Sequence, residues 1–269
     1  MAFDSLRVRP GRSVRLAKLD PSDTRTFPAG KRRAEATLPA RRQELDRLQE
    51  LFYADGRRGM LIVLQGMDTA GKDGTIRHVF EGVNPQGVRV WSFKVPSTEE
   101  LAHDFLWRVH RRTPPKGEIV IFNRSHYEDV LVARVHRLVP RSVWTKRFAE
   151  INDFERELVQ EGATVLKFFL HIDPDEQAKR LAERVADPSK QWKLSAADAR
   201  ERSFWREYTR AYEEMLGRTS TAWAPWYVVP SDHKWFRNLV VSTVLVETLR
   251  AMDLRYPAPS VDLSTFRID

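Results

Sequence analysis

The chain contains no cysteine. That excludes disulfides and thiolate metal centres and fits a reducing compartment such as the cytoplasm. No apolar run is long enough to span a bilayer, so no membrane partner is expected. The N-terminal MAFDSLRVRPGRSVRL is positively charged but has no apolar segment after it, so no secretory signal is expected. Internal repeats and low-complexity stretches are absent. The seven histidines show no H-E-x-x-H or comparable metal spacing. Neither a zinc-finger nor an RNP signature is present, which argues against a nucleic-acid partner. What remains is a 269-residue chain, 42% hydrophobic and 30% charged, with a net charge of +8. That balance fits a globular protein with a substantial core. The basic excess suits a polyanionic partner without choosing one.

The chain is organised around Leu61 to Thr75, LIVLQGMDTAGKDGT. A short apolar run is followed by G-x-x-x-x-G-K, the core of a phosphate-binding loop between a buried strand and a helix. Glycines at Gly66, Gly71 and Gly74 let backbone N–H groups turn toward an anion. The following helix N-terminus adds partial positive charge, and Lys72 supplies a compact cation. Asp73 occupies the position where a Ser or Thr hydroxyl usually meets Mg²⁺. Asp68 lies inside the loop, where a carboxylate would be repelled by phosphates unless it holds Mg²⁺ or takes a proton. Asp68 is therefore a candidate metal ligand or catalytic carboxylate; the alternative is a carboxylate that accepts loop N–H groups. Asp73 reads as local structure at the helix start.

Around this loop, strands and helices alternate. Residues 1–34 read as an irregular arm and residues 35–269 as one domain. Helical periodicity covers Glu35 to Asp55, Thr98 onward through Leu101, Phe105, Leu106 and Val109, Ser142 to about Gly162, Ser203 to Leu216, and Trp235 to Met252. Strands are expected at Met60–Gln65, Gly87–Phe93, Glu118–Asn123, Thr164–Ile172 and Trp226–Pro230. This pattern indicates a single α/β domain with a parallel sheet. The strand ending at Asn123 should deliver Asn123, Arg124, Glu128 and Asp129 beside the loop, because ligands bind outside the carboxyl ends of parallel strands. A basic, irregular stretch near 184–206, with Arg184, Lys190, Trp192 and Lys193, reads as a lid over a polyanion or as an ordinary exposed connection. Trp91, Trp107 and Trp144 are expected in the core, and His126 is expected to be a hydrogen-bonded structural residue.

Three stretches together resemble the family-2 polyphosphate kinases: GMDTAGKDGTI at Gly66 to Ile76, IFNRSHYEDVLV at Ile121 to Val132, and DPSKQWKLSAAD at Asp187 to Asp198. The run from Ala224 to Asn238, APWYVVPSDHKWFRN, is also similar. The resemblance implies a thymidylate-kinase-like three-layer α/β sandwich with a helical lid. It implies Mg²⁺-dependent phosphoryl transfer between inorganic polyphosphate and nucleotides. By motif, Asp68, Lys72 and Arg124 become the catalytic residues. Gly66, Ala70, Gly71, Lys72, Gly74, Arg184, Lys190 and Lys193 become phosphate-binding residues, and Asp68, Asn123 and Glu128 the metal ligands. Many members resemble F-D-R-S where this chain has Asn123. The FNRSHYEDV form is similar to the third subgroup, which accepts both AMP and ADP; guanine nucleotides are a further expected substrate. A homo-oligomer is expected, with the long C-terminal helix as a candidate interface. Two other readings are an ATP-dependent kinase of a nucleotide or small molecule, and a basic nucleic-acid-binding protein.

Overall fold

Five strands form one all-parallel sheet in the order β2-β3-β1-β4-β5. They are β1 (Met60–Gly66), β2 (Val88–Ser92), β3 (Ile119–Asn123), β4 (Thr164–His171) and β5 (Trp226–Pro230). The structure is a computed structural model that describes residues 2–268, with the backbone alone at Asp198. Every residue of β1 is buried, as expected of a central strand covered on both faces. Register is direct: Leu64 lies beside Asn123 on β3 and Phe168 on β4. The phosphate loop and the end of β3 are therefore neighbours at the carboxyl edge of the sheet.

The helices are α1 (Gly30–Asp55), α2 (Lys72–Val79), the short α3 (Thr98–Leu101), α4 (Trp107–His110) and α5 (Val132–Val135), then α6 (Arg141–Gln160), α7 (Pro174–Ala186), α8 (Ala196–Ser203), α9 (Trp205–Thr219) and α10 (Lys234–Arg250). The sheet is flanked by helices on both sides, giving an α/β sandwich of the phosphate-loop kinase type. Residues Phe236, Val240, Val244 and Leu245 of α10 are essentially inaccessible.

Three sequence expectations are revised. Helix α1 begins at Gly30, inside the stretch read as arm, because Lys31, Arg32 and Arg33 carry no apolar periodicity to reveal it. The helix expected to run from Thr98 through Val109 is two short pieces, and Leu101 is exposed. A full capping box at Ser97 and Glu100 opens the first piece, and the helical course is interrupted near Asp104, whose side chain accepts from the Leu106 amide before the second piece begins. Helix α10 offers little free surface as an interface, since most of it is buried against α1, α2 and β5.

The three tryptophans differ. Trp144 is buried. Trp91 and Trp107 are half-buried and carry guanidinium groups on their faces, Arg112 at 3.8 Å and Arg111 at 4.7 Å. No helix among the described residues is long and apolar enough to cross a membrane.

Candidate active site

The loop leaves β1 at Gly66 with φ 155° and enters α2 through Gly71 with φ 105°, in the left-handed region that glycine tolerates. A Cβ at Gly66 would lie 2.7 Å from the Leu170 carbonyl oxygen. Between them Thr69 takes φ 64°, a sparsely populated conformation for a β-branched residue. Lys72 opens α2, and its Nζ donates to the carbonyls of Gly66 at 2.7 Å and Met67 at 3.2 Å. Burial, with help from Arg124, lowers the Lys72 pKa to about 8. The lysine thus sits within the loop, close to where an anion would enter.

At the end of β3, Arg124 also takes a left-handed φ of 61°, and its amide donates to the Leu64 carbonyl. Its guanidinium Nη2 lies 2.9 Å from Asp68 Oδ1. Glu128, in the 3-10 turn His126–Asp129, is half-buried. Burial raises its pKa against the pull of Arg124 and Lys72. Asn123 Nδ2 donates to Asp73 Oδ1 at 2.7 Å, and Lys193 Nζ lies 3.3 Å from Asp73 Oδ2. Burial works against the Asp73 carboxylate, but the bonds from Asn123 and Lys193 hold its pKa below the usual range. Asp73 therefore links the loop helix, the end of β3 and the basic stretch at Lys193, which is more than the helix-start role its position suggested.

Asp68, Asn123 and Glu128 offer oxygen donors only, the chemistry a hard cation prefers. Among the described residues no three acidic or histidine side chains form a complete cage. Mg²⁺ commonly takes one or two carboxylates and leaves its other positions to water and substrate phosphates, so this donor set fits it.

Of Arg184, Lys190 and Lys193 in the basic stretch near 184–206, Lys193 contacts Asp73 at the start of α2. Lys190 pairs with Asp187 at 2.5 Å, and Arg184 lies in the last turn of α7. Trp192 is 78% exposed. Helix α8 is tied to the body where Glu201 meets His136 Nε2 at 3.0 Å and the Tyr208 hydroxyl at 2.8 Å. Tyr208 and the buried Tyr212 on α9 have pKa values raised chiefly by burial and then by acids that include Glu128, so both stay neutral donors near the site.

Two residues were not identified from sequence. Arg180 Nη1 donates to the Thr69 and Ala70 carbonyls, and its Nη2 to the carbonyls of Ser231 and Asp232. Arg237 is 2% exposed and donates to the Asn238 side chain and the Ala70 carbonyl. Burial and the nearby Arg180 lower its pKa to about 9. Neither follows a motif spacing. Arg180 would have been visible only as a cation on the apolar side of α7, Arg237 as one within a buried helix. Together they brace the loop from behind. A Cβ on Gly71 would fall 1.8 Å from Arg237 Nη1. Gly71→Ala therefore combines backbone strain with displacement of a buried guanidinium. It should lower stability by about 1–3 kcal/mol and weaken phosphate binding, as thermal unfolding with and without polyphosphate would show.

The turn carrying Arg124 and Glu128 rests on a buried polar cluster. Lys167 of β4 lies 2.5 Å from Glu155 Oε2, 2.9 Å from the Tyr127 hydroxyl and 2.7 Å from the Thr219 carbonyl. His126 Nε2 meets Glu155 Oε1 at 3.3 Å, as expected of a structural histidine. Burial lowers its pKa, so the ring is neutral near pH 7.

The family model described as "Polyphosphate kinase 2 (PPK2)" matches residues 29–257. An AMP/ADP-polyphosphate phosphotransferase from Meiothermus ruber is 54% identical over 94% of this chain and 95% of its own. An ADP-polyphosphate phosphotransferase from Rhodopseudomonas palustris is 45% identical over 93% and 91%. A crystal structure of polyphosphate kinase 2 from Arthrobacter aurescens TC1 superposes with a TM-score of 0.92 at 42% identity, covering 97% of this chain and 93% of that one.

Proposed function

Since the chain belongs to the polyphosphate kinase 2 family, we propose that it transfers a phosphoryl group between inorganic polyphosphate and AMP or ADP, forming ADP and ATP. The observation that carries this reading is the constellation of Lys72, Asp68 and Arg124, with Lys72 inside the phosphate loop and Arg124 2.9 Å from Asp68. Phosphoryl transfer needs positioning and charge neutralisation more than covalent work by the protein. The loop amides from Gly66 to Gly74, with Ala70 and Gly71 between, and Lys72 bind the donor phosphates. Arg124 stabilises the charge that spreads over the transferred group. Lys193 reaches in from the lid, and Arg184 and Lys190 extend the basic surface along the polymer. The attacking atom is a nucleotide phosphate oxygen, already ionised near pH 7, so no strong general base is needed. Asp68 then acts chiefly as a metal ligand, with Asn123 and Glu128 beside it. Mg²⁺ held there would neutralise phosphate charge as it spreads.

The same reading places the enzyme in the cytoplasm, where its nucleotides are found, and allows guanine nucleotides as acceptors and a homo-oligomeric assembly. Asp68→Asn should lose most turnover with little change in thermal unfolding. Near-normal turnover at saturating Mg²⁺ would contradict the ligand role. The donor is tested by parallel assays with ATP or long-chain polyphosphate and one acceptor. Turnover with polyphosphate supports the proposal; turnover with ATP alone makes the protein an ATP-dependent kinase instead.

A further inference from the structure

The N-terminal arm carries Arg7, Arg9, Arg12, Arg15 and Lys18 within RVRPGRSVRLAK, a segment without a single acid. It is not a loose tail. The Val8 amide donates to the Trp226 carbonyl at 2.8 Å, and Ser220 Oγ donates to the Val8 carbonyl. The Leu16 amide donates to Glu213, and Val8 and Leu16 are buried. The backbone near Arg12 lies so close to α9 that a Cβ on Gly217 would come within 3.2 Å of the Arg12 carbonyl oxygen. Between these anchors the cations are held outward.

Arg9, Arg12, Arg15 and Lys18 are exposed, and among the described residues they make no ion pair or side-chain hydrogen bond. All four line one cleft of about 800 Å³ between the arm and the sheet edge, with His171 and Pro230 at the carboxyl ends of β4 and β5. Of the acids on its wall, Asp23 is paired with the Arg25 guanidinium, while Asp20 accepts from Ser22 and keeps its charge. Among the described residues, four cations along one wall outnumber the single unpaired carboxylate there, Asp20; this excess costs free energy in the empty protein, and a polyanion would reverse that cost.

The course of the arm gives the cleft a direction. It begins beside Trp226 at the start of β5, passes Leu19, whose carbonyl lies 3.0 Å from His171 Nε2, and reaches Pro21, whose carbonyl accepts from the Asp232 amide. The Asp232 carbonyl in turn accepts from Arg180, which holds the phosphate loop. The basic wall thus runs along the sheet edge toward the end of the sheet where the loop lies.

We propose that this cleft is a second polyphosphate-binding site, which holds a distal part of a long chain while its terminal phosphates occupy the loop. The proposal rests on polyphosphate being the donor. Chains of only a few phosphates would fill the loop and not reach the arm, so the cleft should set chain-length preference without touching the chemistry.

The test replaces Arg9, Arg12 and Arg15 with glutamine together in the full chain. Three exposed charge contacts amount to about tenfold in KM for long-chain polyphosphate. KM for short chains and for the nucleotide, and kcat, should stay unchanged. If the triple variant does not fold, the single variants Arg9→Gln and Arg15→Gln carry the same test, at about twofold each. Unchanged KM for long chains, or equal changes for long and short chains, overturns the proposal. Absence of turnover with polyphosphate of any length in the unmodified enzyme would instead remove the donor reading beneath it.

Discussion

Replacing Lys72 with methionine is expected to reduce kcat/KM for phosphoryl transfer by about 10²- to 10³-fold, the usual effect of removing one preorganised charge from a developing anion. The fold should survive. Among the described residues Lys72 makes no ion pair and spends its bonds on the carbonyls of Gly66 and Met67, so methionine removes a desolvated cation at little cost. The unmodified enzyme supplies a matching pH signature. Burial lowers the Lys72 pKa to about 8, so without ligand the charge is lost as pH rises through that value. KM for polyphosphate should rise above pH 8, and the methionine variant should lose that inflection. The sign for stability is the reverse. Between about 8 and the normal lysine range the unfolded chain binds more protons, so this group makes stability rise with pH. A Lys72→Met enzyme with wild-type kcat/KM would show that the loop does not hold the donor.

The second large effect concerns stability. Lys167→Met leaves Glu155 as a carboxylate fully buried with its main counter-charge gone, which should cost about 3–5 kcal/mol. For a domain of this size that lowers Tm by about 10 °C. Burial by itself would raise the Glu155 pKa, but Lys167 and His126 overcome it and keep the carboxyl below its ordinary value. Without Lys167 the group must protonate or remain an uncompensated charge. The double variant Lys167→Met, Glu155→Leu removes both charges and should recover most of the loss. A residual cost of about 1–2 kcal/mol is expected, because Tyr127 and His126 lose their acceptor. Calorimetry of the single and double variants separates these terms. The pair also bears on catalysis, since the turn resting on it carries Arg124 and Glu128.

The sheet and the loop were legible in the sequence because their signals are local. Continuous apolar runs bounded by glycine, proline and polar residues marked the strands, and G-x-x-x-x-G-K marked the loop. The approach of Asn123 and Arg124 to the loop followed from placing two parallel strands side by side. Contacts that join distant segments were not legible. Arg180 and Arg237 touch the loop carbonyls from α7 and α10 through side chains that no spacing rule identifies. Asp73 reads in the sequence as a helix-start acid because its partners, Asn123 and Lys193, lie 50 and 120 residues away in the chain. The arm was read as irregular, which its backbone largely is; the anchors at Val8 and Leu16 emerge only from packing against β5 and α9. The helix expected after Thr98 failed for another reason. Its apolar stripe is real, but a turn at Asp104, whose side chain takes the Leu106 amide, divides it.

The most direct test of polyphosphate as phosphoryl donor is a time course with purified protein, Mg²⁺, long-chain polyphosphate and AMP, with no ATP added and nucleotides followed by chromatography. The predicted result is ADP appearing first and ATP after it, with total nucleotide conserved and both products absent when polyphosphate is omitted. Unchanged AMP in the complete mixture, alongside conversion once ATP is supplied, would contradict it.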